Sequence, residues 1–456
     1  MSSGVLRILK KRGLIGKKGP KASSVRSLSL SELVDTANEI EHAIKAKHQP
    51  VKDPIYSFSA SLSLGGDGSV GCKHLDCRIE RLNKLARFAL MYSDSVYINS
   101  FFSYYTEIDD DSHIEFLKED FYDDLLVLHE VFPLIEHGHI NLFSPELDVC
   151  FSCQAEEFLG EFSSKLFSRE YKRLQRAYLD KMLVTCEGEQ GLYIFNYDGP
   201  SPYFDHIGAS TCIGVPAELA NRPRILSRIE EGRIVTLSRT LVKELGLHLD
   251  RAHNIATDVI HGIVTSGCLN TTFLTHHDLH IKFLNSLHNV PEIRKKNTIS
   301  LEHLTSIVPF LEDISLKDLM KVRERENEAF ILYRKALNKA IDTFCRSGSE
   351  FTEQVARELH GDVIAPSLAF LDKKVNQAKR DLVSRPLRSL VGVVGAISFG
   401  ILTGLIPPDM SNIAKAIGLV KFGADVIDQT MAVGDKENRI ATDKFYFLWK
   451  VRNKVK

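Results

Sequence analysis

Familiar catalytic signatures are missing from these 456 residues. No G-x4-G-K-[ST] is present, which excludes a P-loop, and no G-x-S-x-G, which removes support for an α/β-hydrolase. The histidines never form H-E-x-x-H, so a zincin site is excluded as well. Cysteine is scarce, at eight residues, and Val5–Leu9 is too short an apolar run for a secretory leader. Disulfides are therefore not expected, and the thiols should stay reduced unless a metal holds them. No internal repeat of fixed period is visible.

Acid is absent from residues 1–31, which carry eight bases: Arg7, Lys10, Lys11, Arg12, Lys17, Lys18, Lys21 and Arg26. Eight bases removed from a net charge of −1 leave about −9 on residues 32–456. Residues 1–31 read as a basic, disordered arm, solvated or serving as a handle for phosphate or anionic lipid. Their Ser-rich, acid-free composition also matches a transit peptide.

What is present is ordinary globular material, 44% apolar and 26% charged, in a chain long enough to bury a sizeable core. Periodicity predicts helices near 31–45, with Ser29 and Ser31 as caps, and over Leu75–Tyr92. Strands are predicted at 55–64, Ser95–Asn99 and His139–Phe143, and a hairpin at 182–200 with its turn at Glu187–Gly191. Between Glu107 and Glu130 ten acids face one base, Lys118, while Phe116, Leu117, Phe121, Leu125, Leu128 and Phe132 recur at helical spacing. That is an amphipathic helix whose acidic face is either solvated or a dock for a basic partner, the chain's own N-terminal arm included. Helices follow at 155–181, 226–246, 248–266, 276–288, 300–311 and 316–346, the last capped by Ser315-x-x-Asp318. The regular βαβ alternation of a doubly wound enzyme is not visible. The expected fold is mainly α, with a small mixed α/β N-terminal portion and a C-terminal helical bundle or hairpin. The expected divisions are 1–31, a mixed α/β domain at 32–200, a helical domain at 201–346 and a helical segment at 347–456.

Ser389–Pro408 is twenty residues without a charge, about 30 Å as a helix, and Gly392, Ala396, Gly400 and Gly404 make a smooth stripe along it. Six bases from Lys373 to Arg388 flank it. It reads as a buried core helix or as a membrane or self-association element. Cys72-x4-Cys77 and Cys150-x2-Cys153 follow predicted turns and could hold a structural zinc; the competing reading is incidental cysteines. His276 and His280 share a helix face, and with His277 and Asp278 they form the candidate set for a metal-dependent hydrolase, reminiscent of the HD dipeptide of all-helical phosphohydrolases. Gly66-x-Gly68-x-x-Gly71 formally matches a dinucleotide fingerprint, but Asn99 stands where an acid should close the next strand, so a polar turn is the better reading.

These observations describe an intracellular, cytoplasmic interaction or regulatory protein, non-catalytic, with a protein partner or a second copy engaged through the glycine-striped helix, or a membrane contacted by it. A membrane-active effector of a bacterial conflict system would have this layout, and so would a soluble scaffold. The alternatives are the metal-dependent hydrolase and nucleic-acid binding through residues 7–26. No small-molecule substrate is identified.

Overall fold

The computed structural model describes residues 4–46, 56–67, 73–111, 113–144, 164–189, 191–200, 209–286, 298–300, 315–345, 353–373 and 444–455. The chain is mainly helical, with its strands in small sheets, and divides into two compact units, Met1–Glu302 and His303–Lys456.

Residues 4–26 are folded rather than an arm without structure. Helix α1 (Gly4–Lys11) leads through a hairpin of β1 (Ile15–Gly16) and β2 (Gly19–Pro20) to α2 (Ala22–Arg26) and α3 (Leu30–Lys45). Val5, Leu6, Leu9, Leu14 and Val25 are buried, because apolar residues alternate with the bases closely enough to give each element a dry side. Ser29 caps α3 in a reciprocal capping box with Glu32.

A five-stranded, wholly parallel sheet follows. Strand β3 (Ser57–Ala60) is joined through α4 (Leu75–Tyr92) to β4 (Ser95–Asn99), and that strand through α5 (Ile114–His129) and α6 (Phe132–His137) to β5 (Ile140–Phe143). Phe88 of α4 meets Phe58 of β3 edge to face at 4.9 Å. The strand expected over 55–64 stops at Ala60, and residues 61–66 turn back into the protein.

A second sheet is inserted before the first is complete. Helix α7 (Ser164–Lys181) precedes β6 (Leu183–Glu189), β7 (Leu192–Asp198) and β8 (Ala209–Ile213). The short helices α8 (Ala217–Ala220) and α9 (Pro223–Glu230) lead to β9 (Val235–Thr236), and the antiparallel order is β8-β7-β6-β9. Val184, Cys186, Tyr193, Phe195 and Tyr197 alternate along their strands and are buried in one cluster with Tyr178 of α7 and Ile229 of α9.

After α10 (Arg239–Glu244), α11 (Leu247–Leu269) runs from this cluster to the parallel sheet. Arg251 lies 4.7 Å over the ring of Tyr197, and Val259 and Ile263 are buried two turns further on. A Cβ at Gly262 would come 1.9 Å from Phe273 Cε2, so no larger residue fits there. Strand β10 (Thr272–Thr275) then pairs with the open side of β3, and after α12 (Asp278–Ser286) the last strand, β11 (Thr298–Ser300), pairs with β10.

The spatial order is β11-β10-β3-β4-β5. Chain order steps one way from β3 to β5, then reverses across β3. The βαβ alternation is therefore present but interrupted. Strands of three to five residues, separated by an inserted sheet, leave no regular signal in the sequence.

In the second unit the helix expected over 316–346 breaks at Glu326 into α13 (Leu316–Arg325) and α14 (Asn327–Cys345), and Ser315 caps the first through Asp318 N at 3.1 Å. Helix α15 (Glu353–Leu359) continues through one wide turn at His360–Ile364. In α16 (Tyr446–Val455), Trp449 Nε1 donates to Asp372 at 2.8 Å and Phe447 packs on Phe330 and Tyr333. Leu368 and Leu371, three residues apart on the helix that follows, are buried.

Candidate functional site

All five parallel strands present their carboxyl ends along one edge, and hydroxyls line it. Ser61, Ser100 and Ser144 directly follow β3, β4 and β5, Thr275 ends β10, and all four are buried. The loop after β3 folds around its own backbone. Leu64 N donates to Ser61 Oγ, Gly65 N to Ser61 O, Gly66 N to Ser63 O and Asp67 N to Leu62 O. Gly66 has φ +85°, and a Cβ there would lie 3.1 Å from Val127 Cγ1, so glycine is required on both counts. It is the first glycine of the fingerprint-like spacing; Gly68 and Gly71 lie outside the described residues.

The two remaining amides of this loop point at a carboxylate. Leu62 N donates to Asp258 Oδ1 at 2.6 Å and Ser63 N to Oδ2 at 3.4 Å, and the Ser63 hydroxyl also donates to Oδ2. Asp258 comes from α11, 2% exposed, and burial pushes its carboxyl up to about 6 despite these donors. The nearby Asp67 charge acts in the same direction.

The first turn of α12, just after β10, meets the same carboxylate. His280 Nε2 lies 3.7 Å from Asp258 Oδ2, and its Nδ1 bonds Thr275 Oγ1 at 2.7 Å. Thr275 Oγ1 also accepts from His277 N at 3.1 Å. Burial drives His280 down to about 3, so the ring is neutral at pH 7 and the Asp258 contact is not an ion pair. Nδ1 of His277 accepts from Leu279 N at 3.4 Å. The chain Ser63–Asp258–His280–Thr275–His277 thus ties together the loops on either side of the reversal.

Behind the first loop sits a second buried carboxylate. Arg78 Nε donates to Gly66 O at 2.7 Å, its guanidinium pairs with Asp124, and Tyr105 OH donates to Asp124 Oδ2 at 2.7 Å. Burial pushes Asp124 up to about 6, with Arg78 pulling the other way, and raises Tyr105 well above its ordinary value.

The structure brings His276, His277 and His280 together, with ring centroids 5.1–6.4 Å apart. Even so, no three His, Cys, Asp or Glu side chains among the described residues are arranged to hold a metal ion. The side chain of Asp278 lies outside the description. Of the expected zinc ligands, Cys77 lies exposed on α4, while Cys72, Cys150 and Cys153 fall outside the described residues. So do Gly392, Ala396, Gly400 and Gly404; among the described residues no helix is long and apolar enough to cross a membrane.

Sequence reasoning missed Asp258, Ser61, Ser63, Arg78 and Asp124. One signal was available: Asp258 is a lone acid on the apolar face made by Ile255, Val259 and Ile263. Compared with family models, curated proteins and solved structures, the chain matches none of them.

Proposed function

We propose that the protein binds a nucleotide across the carboxyl edge of its parallel sheet, between the loops after β3 and β10. One observation carries this reading: the strand order reverses there. In open parallel sheets the two loops at such a reversal diverge to opposite faces and leave a crevice, which is where ligands bind. The hydroxyls of Ser61, Ser100 and Thr275 line that edge bonded to Ser63, Glu41 and His280, and the imidazole of His277 lies beside them. Calorimetric titration with NAD and with ATP tests it. Binding of one of them below about 1 mM, weakened at least tenfold by His277→Ala, is the expected result. Failure of both to bind would end this reading.

The amphipathic acidic helix favours a folded N-terminus over a nucleic-acid arm. Arg26 donates to Glu119 of α5 at 2.7 Å, Arg12 to Glu39 at 2.8 Å, and Lys10 lies 3.7 Å from Glu136. Self-association or membrane contact through 389–408 rests on its twenty uncharged residues. Retention of the chain in carbonate-washed membranes, lost on deleting 389–408, separates the membrane role from a core helix.

A further inference from the structure

The loop after β3 offers a donor set out of proportion to a structural cap: two consecutive backbone amides and a serine hydroxyl, all converging on one carboxylate group. Consecutive amides with a hydroxyl are the means by which strand-to-helix loops hold phosphate. We propose that this cradle is a phosphate site, occupied by the Asp258 carboxylate until the phosphate of an anionic ligand displaces it.

The inference rests on the nucleotide reading for the source of the phosphate, and three features of the structure support it. Among the described residues no cation accompanies Asp258: its contacts are amides, a hydroxyl and a neutral imidazole, so its charge is held by dipoles, as a bound anion would be. The cradle directly follows β3, one of the two strands between which the strand order reverses. A displaced carboxylate also has somewhere to go. His280 Nε2 is 3.7 Å from Oδ2, and its Nδ1 is held by the Thr275 hydroxyl, so an Nε2–H can receive the carboxylate as it leaves the amides. The other ionisable groups facing Asp258 are Asp67 of the same loop and His261 of its own helix. Phosphate entry would thereby move the loop after β10 as well.

Sulfate tests this on the full-length protein, because it keeps two charges across the working pH range. Asp258→Asn removes the resident anion and keeps the shape, so sulfate should bind it at least tenfold tighter than the parent. Adding Ser63→Ala should abolish that gain. A folded Asp258→Asn protein that binds sulfate within twofold of the parent overturns the proposal. If Asp258→Asn melts without cooperativity, recovery of a cooperative melt in sulfate supports the site, and no recovery at any sulfate concentration overturns it. NAD and ATP titrations on the same proteins separate the two claims. A sulfate gain with no nucleotide binding leaves the cradle and removes the nucleotide reading. Nucleotide binding that is indifferent to Asp258→Asn and to sulfate does the reverse.

Discussion

Asp124 and Asp258 are both buried carboxylates pushed to about 6, yet they are held in opposite ways. Asp124 faces a guanidinium and a phenol, and Asp258 faces only neutral donors. In the first case charge meets charge, and the pair pins Gly66 through Arg78 Nε. In the second a lone charge is buried against dipoles. The first arrangement suits permanent structure, because either partner alone is costly. The second suits exchange, because the donors can serve any anion of similar size.

The largest effect should come from breaking the pair. Arg78→Ala leaves Asp124 buried without its cation and should cost about 3–5 kcal/mol in urea unfolding. Asp258→Asn should cost only about 1–2 kcal/mol, since it removes an uncompensated charge along with its hydrogen bonds. Equal losses in the two variants would erase the distinction between the two sites.

Acid sharpens it further. Asp124 and Asp258 have folded-state values above the ordinary carboxylate range, so through them stability rises as pH falls from 7 toward 4 and is lost as pH climbs through about 6. His280, held down to about 3, works oppositely: the unfolded chain takes up its proton below about 6.5, and stability falls with pH. Melts at pH 7 and pH 5 should therefore show His280→Gln gaining stability on acidification relative to the parent, and Asp258→Asn losing it. Slopes of the same sign in the two variants would contradict this assignment. The smallest effect belongs to the exposed Arg26–Glu119 contact: Arg26→Ala should change the melt slightly at low salt and not at all at high salt.

Local pattern carried far in this sequence, and long-range pairing did not. Helix α4 begins and ends at Leu75 and Tyr92, as periodicity predicts, and Leu82, Leu85, Phe88 and Ala89 face inward. The same holds for β4, and the hairpin forms as β6 and β7, with a turn tighter than Glu187–Gly191 because Glu187, Gly188 and Glu189 still pair with β7. In α5, Leu117, Phe121, Leu125 and Leu128 are buried, but Phe116 is exposed. Strand β10 escaped notice because four residues between two helices have no period to measure, and its partner lies far back in the chain. The site shared that fate. Its histidines were visible as a cluster, but Asp258 acquires meaning only when β10 places α11 beside the loop after β3.

That pairing also dictates an order of assembly. Ser57 and Ser95, bonded between β3 and β4, are 38 residues apart, whereas Ser59 and Thr271, bonded between β3 and the loop leading into β10, are 212 apart. For a flexible chain the longer closure costs about 1.5 kcal/mol more, and a chain made from its N-terminus supplies β10 much later. Strands β3 to β5 can join while β3 still has one bare edge, so the nascent protein carries an exposed strand until β10 arrives. The seam between β3 and β10 then closes late, and a ribosome-bound chain that has not yet reached Thr275 cannot complete it.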